Sequence, residues 1–177
     1  MRSGNLVISF PDLQQLQFLP EIEKKSQLRF QETVHSECAF GETLSADHFL
    51  ARYRENSLII SQISQKSEIS IAGFLVFKKI PDNTETTLFI EEMSVLPEYA
   101  GNRIGEKMIQ YMVSIRPEIK SIWLTTFENI PWNAPYYERL GFLQIPFQDC
   151  IPEIQKIHQV ESSKGLKNRI AMVKYIR

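Results

Sequence analysis

The sequence predicts an α/β fold in a single domain, with a mixed sheet flanked by helices. Three observations carry that prediction. Short β-rich runs alternate along the chain with stretches whose apolar residues recur at helical spacing. At 177 residues the chain suits one domain with a real core, and no repeat, low-complexity tract or linker-like stretch divides it. With 43% hydrophobic and 23% charged residues, the composition is that of a soluble globular protein.

The elements follow in order. "NLVISF" (5–10) reads as a first strand. Pro11 and Asp12 open a helical stretch over 12–30, which Pro20 breaks or restarts because it has no N–H to donate. "TVHSECAFGET" (33–43) reads as irregular. Ser45 is placed to cap a short helix over 46–56. "SLIISQIS" (57–64) and "ISIAGFLVFKKI" (69–80) form a hairpin around the polar link "QKSE", and "PDNT" (81–84) is a turn. "TTLFIEEMSVL" (86–96) is the next strand. "NRIGEKMIQYMVSI" (102–115) is helical, with Ile104, Met108, Ile109, Met112 and Ile115 on one face, and Pro117 stops it. "SIWLTTF" (121–127) is a strand, and "APYYERL" (134–140) is a short helix closed by Gly141. "FLQI" (142–145) is a strand, 151–162 is helical, and "NRIAMVKYI" (168–176) is the closing strand.

Charge and special residues narrow the function. A formal net charge of −1 gives no electrostatic reason for a nucleic-acid or anionic-membrane partner. Nothing approaches the roughly twenty apolar residues of a membrane span, and the first residues make no convincing signal peptide. The expected location is the cytoplasm. Cys38 and Cys150 lie far apart without metal-type spacing or an adjacent base, and they read as reduced thiols. His35, His48 and His158 are scattered, so no metal site is expected. Trp123 and Trp132 read as packing residues.

Two stretches carry chemistry. In "SVLPEYAGNRIGEKM" (94–108) a strand ends near Val95, and a helix begins near Gly101 after a short loop. A helix start presents unpaired N–H groups and partial positive charge, and small residues let a phosphate come close. Isolated glycine patterns are weak, so an ordinary strand–loop–helix joint stays open as an alternative. A Walker loop is excluded, since the Gly-Lys-Ser/Thr ending and its spacing are absent. The second stretch, "PWNAPYYERLGF" (131–142), sets an asparagine and two tyrosines where a strand hands over to a helix.

Together, "EEMSVLPEYAGNRIGEKMI" and "WLTTFENIPWNAPYYERLGF" resemble the acetyl-CoA-binding half of the GNAT acetyltransferases, over roughly 87–142. "PWNAP" followed by an aromatic and Tyr, with the ending "KGLKNRIAMVKY", resembles a bacterial subgroup. The sequence departs from the pattern at three places. Ala100 replaces the usual Arg or Gln, Arg103 stands where the first glycine lies, and Glu106 brings a carboxylate onto the first helical turn.

The resemblance implies a GNAT fold over 1–177 whose two central parallel strands splay apart at one end. Acceptor-side elements would lie at about 1–80 and the acetyl-CoA-binding core at about 87–145. It implies that Met93, Ser94 and Val95 border the pantetheine arm. Gly101, Asn102, Arg103, Ile104, Gly105 and Glu106 would cradle the diphosphate, and Asn133 would give its side-chain amide to the pantetheine. Tyr137 is implied as the proton donor to the leaving thiolate, while Tyr136 takes a packing position. Glu91 and Glu92 border the site, and only one can face the substrate in a regular strand. Either carboxylate, or a water chain to one, would serve as the base. Phe30, His35, Glu37 and Phe40 would line the acceptor side. The implied activity is transfer of an acetyl group from acetyl-CoA to a small-molecule or peptide amine, by a monomer or homodimer. A CoA-binding sensor or interaction module without turnover is the alternative.

Overall fold

Asp12 starts the first helical segment as its sequence suggests. Its side chain accepts from the Gln15 N–H at 3.1 Å, and the Gln15 side chain accepts from the Asp12 N–H at 2.9 Å. This reciprocal capping box begins a 3-10 helix, Leu13–Phe18, rather than an α-helix. The α-helix α1, Leu19–Gln27, begins with Pro20 in its first turn, where a missing N–H costs nothing. A further 3-10 turn, Leu28–Phe30, follows it. The computed structural model describes residues 5–65, 68–82 and 86–176. Lys66 and Ser67 of the hairpin link, and Asn83 and Thr84 of the "PDNT" turn, lie outside the described residues.

The strands are β1 (Asn5–Ser9), β2 (Leu58–Gln65), β3 (Glu68–Ile80), β4 (Thr87–Val95), β5 (Ser121–Phe127), β6 (Leu143–Ile145) and β7 (Arg169–Tyr175). The remaining α-helices are α2 (Ala46–Arg54), α3 (Ile104–Ser114), α4 (Ala134–Arg139) and α5 (Pro152–Ser163). The region expected to be irregular holds one 3-10 segment, Ser36–Phe40. The strands form one mixed seven-stranded sheet in the order β1-β2-β3-β4-β5-β7-β6. β4 and β5 are its parallel pair, registered from Thr87 opposite Ser121 to Phe89 opposite Trp123. Both strands run on past that register, to Val95 and Phe127. This is a single-domain α/β fold with flanking helices, and the chain contacts within it gather into two compact units.

The first unit comprises Met1–Phe77 and Glu92–Ile115. Here Leu19 and Ile22 of α1 and Phe49 of α2 pack with Leu58, Ile60, Phe74, Val76 and Leu96. Phe49 meets Phe74 edge-on at 5.3 Å between ring centres. Ser45 caps α2 as expected, accepting from the His48 N–H at 3.1 Å. The β2–β3 pairing slips between Ser61 and Gln62, so that Ala72 has no opposite number. The bulged Ala72 carbonyl accepts the Leu96 N–H at 2.8 Å. Gly73 beside it is a requirement of close approach: a Cβ there would stand 2.5 Å from the Ser94 carbonyl oxygen. The bulge and this glycine thus fix the end of β4. Of the five residues expected on one face, Ile104, Met108, Ile109 and Met112 of α3 are buried, while Ile115 is its C-cap and only half-buried.

The second unit comprises Lys78–Glu91 and Arg116–Arg177. β5 and β6 each pair antiparallel with β7. α5 buries Ile154 among Ile80, Phe89, Trp123, Ala171 and Val173. Arg169 bonds Glu161 at 2.8 Å and the Thr125 carbonyl at 3.0 Å, and its guanidinium lies 4.7 Å over the Phe127 ring. The arginine in the "KGLKNRIAMVKY" ending therefore ties α5 to β5.

Candidate functional site

The loop between β4 and α3 is built by short hydrogen bonds. A 3-10 turn, Pro97–Tyr99, follows β4, and the Ala100 N–H closes on the Pro97 carbonyl at 3.0 Å. The Asn102 side chain donates to the Tyr99 carbonyl at 3.0 Å and folds the loop back on itself. Gly101 and Arg103 both take left-handed backbone, with φ of 80° and 58°. A Cβ on Gly101 would meet nothing within 4 Å, so its glycine answers a backbone need and not a steric one.

Arg103 is the N-cap of α3, and its side chain makes no cap hydrogen bond. The first backbone bond of the helix runs from the Lys107 N–H to the Arg103 carbonyl at 3.1 Å. The amides of Ile104, Gly105 and Glu106 precede it and have no acceptor within the helix. They stand at the positive end of an 11-residue helix, the geometry that receives an oxyanion. The Glu106 carboxylate does not stand alone there. The Arg103 guanidinium grips it through Nε at 2.7 Å and Nη2 at 3.1 Å. Those hydrogen bonds and the Glu106 charge in turn hold the Arg103 proton more tightly than usual.

Glu91 and Glu92 diverge, as neighbours on a strand must. Glu91 Oε1 lies 3.4 Å from Lys78 Nζ. Glu92 Oε1 accepts from Ser94 Oγ at 2.8 Å, and Ser94 Oγ lies 2.9 Å from Ser26 Oγ on α1. Ser94 and Ser26 are both buried. A hydroxyl has one proton, and Ser94 gives its proton to Glu92. Ser26 is therefore the donor to Ser94, and the chain of hydroxyls points toward the Glu92 carboxylate.

A residue outside the sequence expectations belongs to this cluster. Glu23 of α1 is only 3% exposed. Its carboxyl accepts the Leu44 N–H at 3.0 Å and the Gln27 side-chain amide at 3.3 Å. Burial, and then the Glu92 charge, push its pKa up to about 8, while the Leu44 hydrogen bond opposes them. A signal for it exists in the sequence. Leu19, Ile22, Glu23 and Ser26 follow the spacing of a buried helix face, and two of the four are polar.

In the second unit, Asn133 precedes α4 and is 8% exposed. Its carbonyl accepts the N–H groups of Tyr136 and Tyr137 at 2.9 and 3.1 Å. Its side-chain amide makes no cap hydrogen bond to α4.

Tyr137 is set by the end of α4. The Phe142 N–H reaches back to the Tyr137 carbonyl at 3.1 Å, and the Gly141 N–H to the Glu138 carbonyl at 2.9 Å. With Gly141 at φ 86°, this is a Schellman motif. Its apolar contact is the edge-on pair of Tyr137 and Phe142 at 5.5 Å. Lys174 Nζ donates to the Leu140 carbonyl at 2.6 Å and completes the cap. Tyr136 packs edge-on against Tyr137, with Arg139 over its ring.

The four residues expected on the acceptor side lie in the first unit. Phe30 and His35 are buried, whereas Glu37 and Phe40 are exposed. His35 Nδ1 is 3.4 Å from the Glu37 carboxylate. Cys38 and Cys150 form no disulfide among the described residues, and burial followed by the Asp149 charge raises the Cys150 pKa. Among the described residues no group of three or more His, Cys, Asp or Glu is placed to hold a metal ion. None of the described helices is long and apolar enough to cross a membrane.

The family model described as the acetyltransferase (GNAT) family matches residues 16–142. Solved structures share the fold at low identity. The PaiA N-acetyltransferase of Thermoplasma acidophilum, in complex with coenzyme A, is 17% identical with a TM-score of 0.68, over 97% of this chain and 99% of that one. The ribosomal-protein-S18-alanine N-acetyltransferase of Escherichia coli is 16% identical with a TM-score of 0.62, over 97% and 94%. The N-acetylglutamate synthase of Neisseria gonorrhoeae, complexed with coenzyme A and N-acetyl-glutamate, is 12% identical with a TM-score of 0.68. The match takes in 99% of this chain but only 36% of that longer one.

Proposed function

The chain belongs to the acetyltransferase (GNAT) family, and from that premise we propose that it transfers an acetyl group from acetyl-CoA to an amine by direct attack in a ternary complex. The observation that carries the reading is the start of α3 after the left-handed residues Gly101 and Arg103, where the amides of Ile104, Gly105 and Glu106 have no acceptor within the helix. The pantetheine arm carries amides, and the Asn133 side chain, which makes no cap hydrogen bond, would meet one of them. Coenzyme A in related structures supports acetyl-CoA as the co-substrate.

The roles follow from the chemistry of each group. The amides from Gly101 to Glu106 would hold the diphosphate, with Asn102 shaping the loop. Met93, Ser94 and Val95 would border the arm, and the Val95 N–H would receive the charge that builds on the thioester oxygen. The acceptor ammonium must lose a proton before its nitrogen can attack. Glu92 would take that proton, because its carboxylate is held by a donated hydroxyl, while Glu91 is engaged by Lys78. The N–C bond forms, the C–S bond breaks, the thiolate takes the Tyr137 hydroxyl proton, and the second proton shed by the nitrogen as it becomes an amide restores the phenol through water. A phenol, with a pKa of about 10, keeps that proton at neutral pH. Phe30, His35, Glu37 and Phe40 would border a small-molecule or peptide amine. "PWNAP" and the "KGLKNRIAMVKY" ending support a place among bacterial relatives that share them. The protein would act in the cytoplasm, as a monomer or homodimer.

The test has two steps. CoA should raise the melting temperature, since a ligand at a hundred times its Kd stabilises the folded state by about 2.7 kcal/mol. No shift at millimolar CoA, in a well-folded sample, refutes the binding site. A panel of amines is then screened with acetyl-CoA. CoA binding with no amine acetylated favours the sensor reading over the enzyme.

A further inference from the structure

Two carboxyl groups in the first unit, Glu23 and Glu92, meet at one place: Glu23 and Ser26 share the buried face of α1, and Ser26 reaches Glu92 through Ser94. Glu92 is supported by a directed chain of buried hydroxyls, from Ser26 to Ser94 to its own Oε1. That arrangement favours a full negative charge on Glu92. Glu23 is more deeply buried, and its two hydrogen bonds come from neutral groups, the Leu44 N–H and the Gln27 amide. Two like charges in such a place are costly, and the less supported member keeps its proton.

Among the described residues no cation pairs with Glu23. On its own helix, Lys24 and Lys25 are exposed, and Lys25 faces Glu21 at 3.7 Å. In the turn after α1, the Arg29 guanidinium lies over the Phe30 ring. In the 3-10 segment Ser36–Phe40, the charged residue is Glu37, and it faces His35. The preceding 3-10 helix, Leu13–Phe18, has no titratable side chain. From β4 the charge acting on Glu23 is Glu92.

We propose that Glu23 is a positioning residue that keeps the proton of this carboxyl pair, so that Glu92 carries the pair's single negative charge and accepts the proton of the acceptor's ammonium. The ammonium N–H bond breaks, an O–H bond forms on Glu92, and the freed lone pair attacks the thioester. Glu92 then releases its proton to water before the next turnover. The role of Glu92 as base rests on the acetyl-transfer reading, whereas the unequal sharing of the proton does not.

Protein labelled with 13C at the glutamate side-chain carboxyls is titrated by NMR without any ligand, and Glu23→Gln and Glu92→Gln assign the two signals. Glu23 should stay protonated at neutral pH and titrate near pH 8, with Glu92 already ionised. In Glu92→Gln the Glu23 midpoint should fall by about one unit or more, because the repelling charge is gone. An ionised Glu23 at neutral pH, or a midpoint that Glu92→Gln leaves in place, overturns the proposal.

The second measurement is the pH dependence of kcat/KM with an amine found to be acetylated. Glu23→Gln mimics the protonated carboxyl. It should keep neutral-pH activity within about twofold and remove the step near pH 8, whereas Glu92→Gln should lose about a hundredfold or more. A purely structural Glu23 would leave the step in place. If the NMR midpoints behave as stated but no amine is acetylated, the base role falls together with the acetyl-transfer reading. The shared proton then stands without it.

Discussion

Glu23 should make the protein less stable as pH rises, and Glu23→Gln should remove that dependence. The folded state raises this carboxyl from 4.5 to about 8. Between those values the folded chain binds a proton that the unfolded chain has released. Stability then falls with increasing pH. The contribution is fully present below about pH 4.5 and is lost progressively as pH rises through about 8. A shift of one pKa unit corresponds to about 1.36 kcal/mol, so the whole span from 4.5 to about 8 amounts to about 5 kcal/mol. That is a large share of the roughly 5–15 kcal/mol that holds a typical domain folded. Gln keeps an oxygen to accept the Leu44 N–H and never ionises. The assay is urea unfolding of parent and Glu23→Gln at several values from pH 5 to pH 9. Taking the difference between the two proteins cancels the other titrating groups. That difference should shift in favour of the variant by about 4 kcal/mol from pH 5 to pH 8, then level off. Parallel stability curves would show that Glu23 ionises like an ordinary carboxylate and would refute the reasoning.

Three further outcomes are expected. Arg103→Gly should relieve a left-handed residue by about 1 kcal/mol yet weaken CoA binding by calorimetry, because Glu106 loses its partner; adding Glu106→Gln should restore affinity. Gly73→Ala should lower the melting temperature, by about 1–3 kcal/mol of stability, since its Cβ would stand 2.5 Å from the Ser94 carbonyl oxygen. Tyr137→Phe should cut turnover by about a hundredfold with CoA affinity unchanged, while Tyr136→Phe should keep activity; equal rates for the parent and Tyr137→Phe, with chemistry limiting, would leave Tyr137 a packing residue.

What the sequence made legible is what depends on local pattern. The apolar spacing put Ile104, Met108, Ile109, Met112 and Ile115 on one face, and the first four are buried while Ile115, at the end of α3, is half-buried. "YYERLGF" contained its own helix stop, because Gly141 takes the left-handed conformation and Phe142 folds back on Tyr137. The 3-10 form of Leu13–Phe18 was not legible, since helical spacing alone does not separate it from an α-helix. Nor was the bulge at Ala72, which shows itself only when β2 pairs with β3. Glu23 was half legible. Its place on a buried face follows from spacing, but its raised pKa comes first from the depth of burial in the folded chain and then from Glu92, which arrives from a strand far along the chain.

The departures at 103 and 106 illustrate the same division. Read singly, an arginine in a glycine position restricts the backbone, and a carboxylate at a helix start repels an anion. In the folded chain they form one unit. The left-handed turn at Arg103 places its guanidinium on the Glu106 carboxylate through two hydrogen bonds, three residues on. The carboxylate's repulsion is thereby offset, and the backbone amides of Ile104, Gly105 and Glu106 remain at the helix start. The conformational cost of a non-glycine residue at 103 is set against removal of a misplaced charge. Each substitution is therefore intelligible only with the other, and they should be altered as a pair.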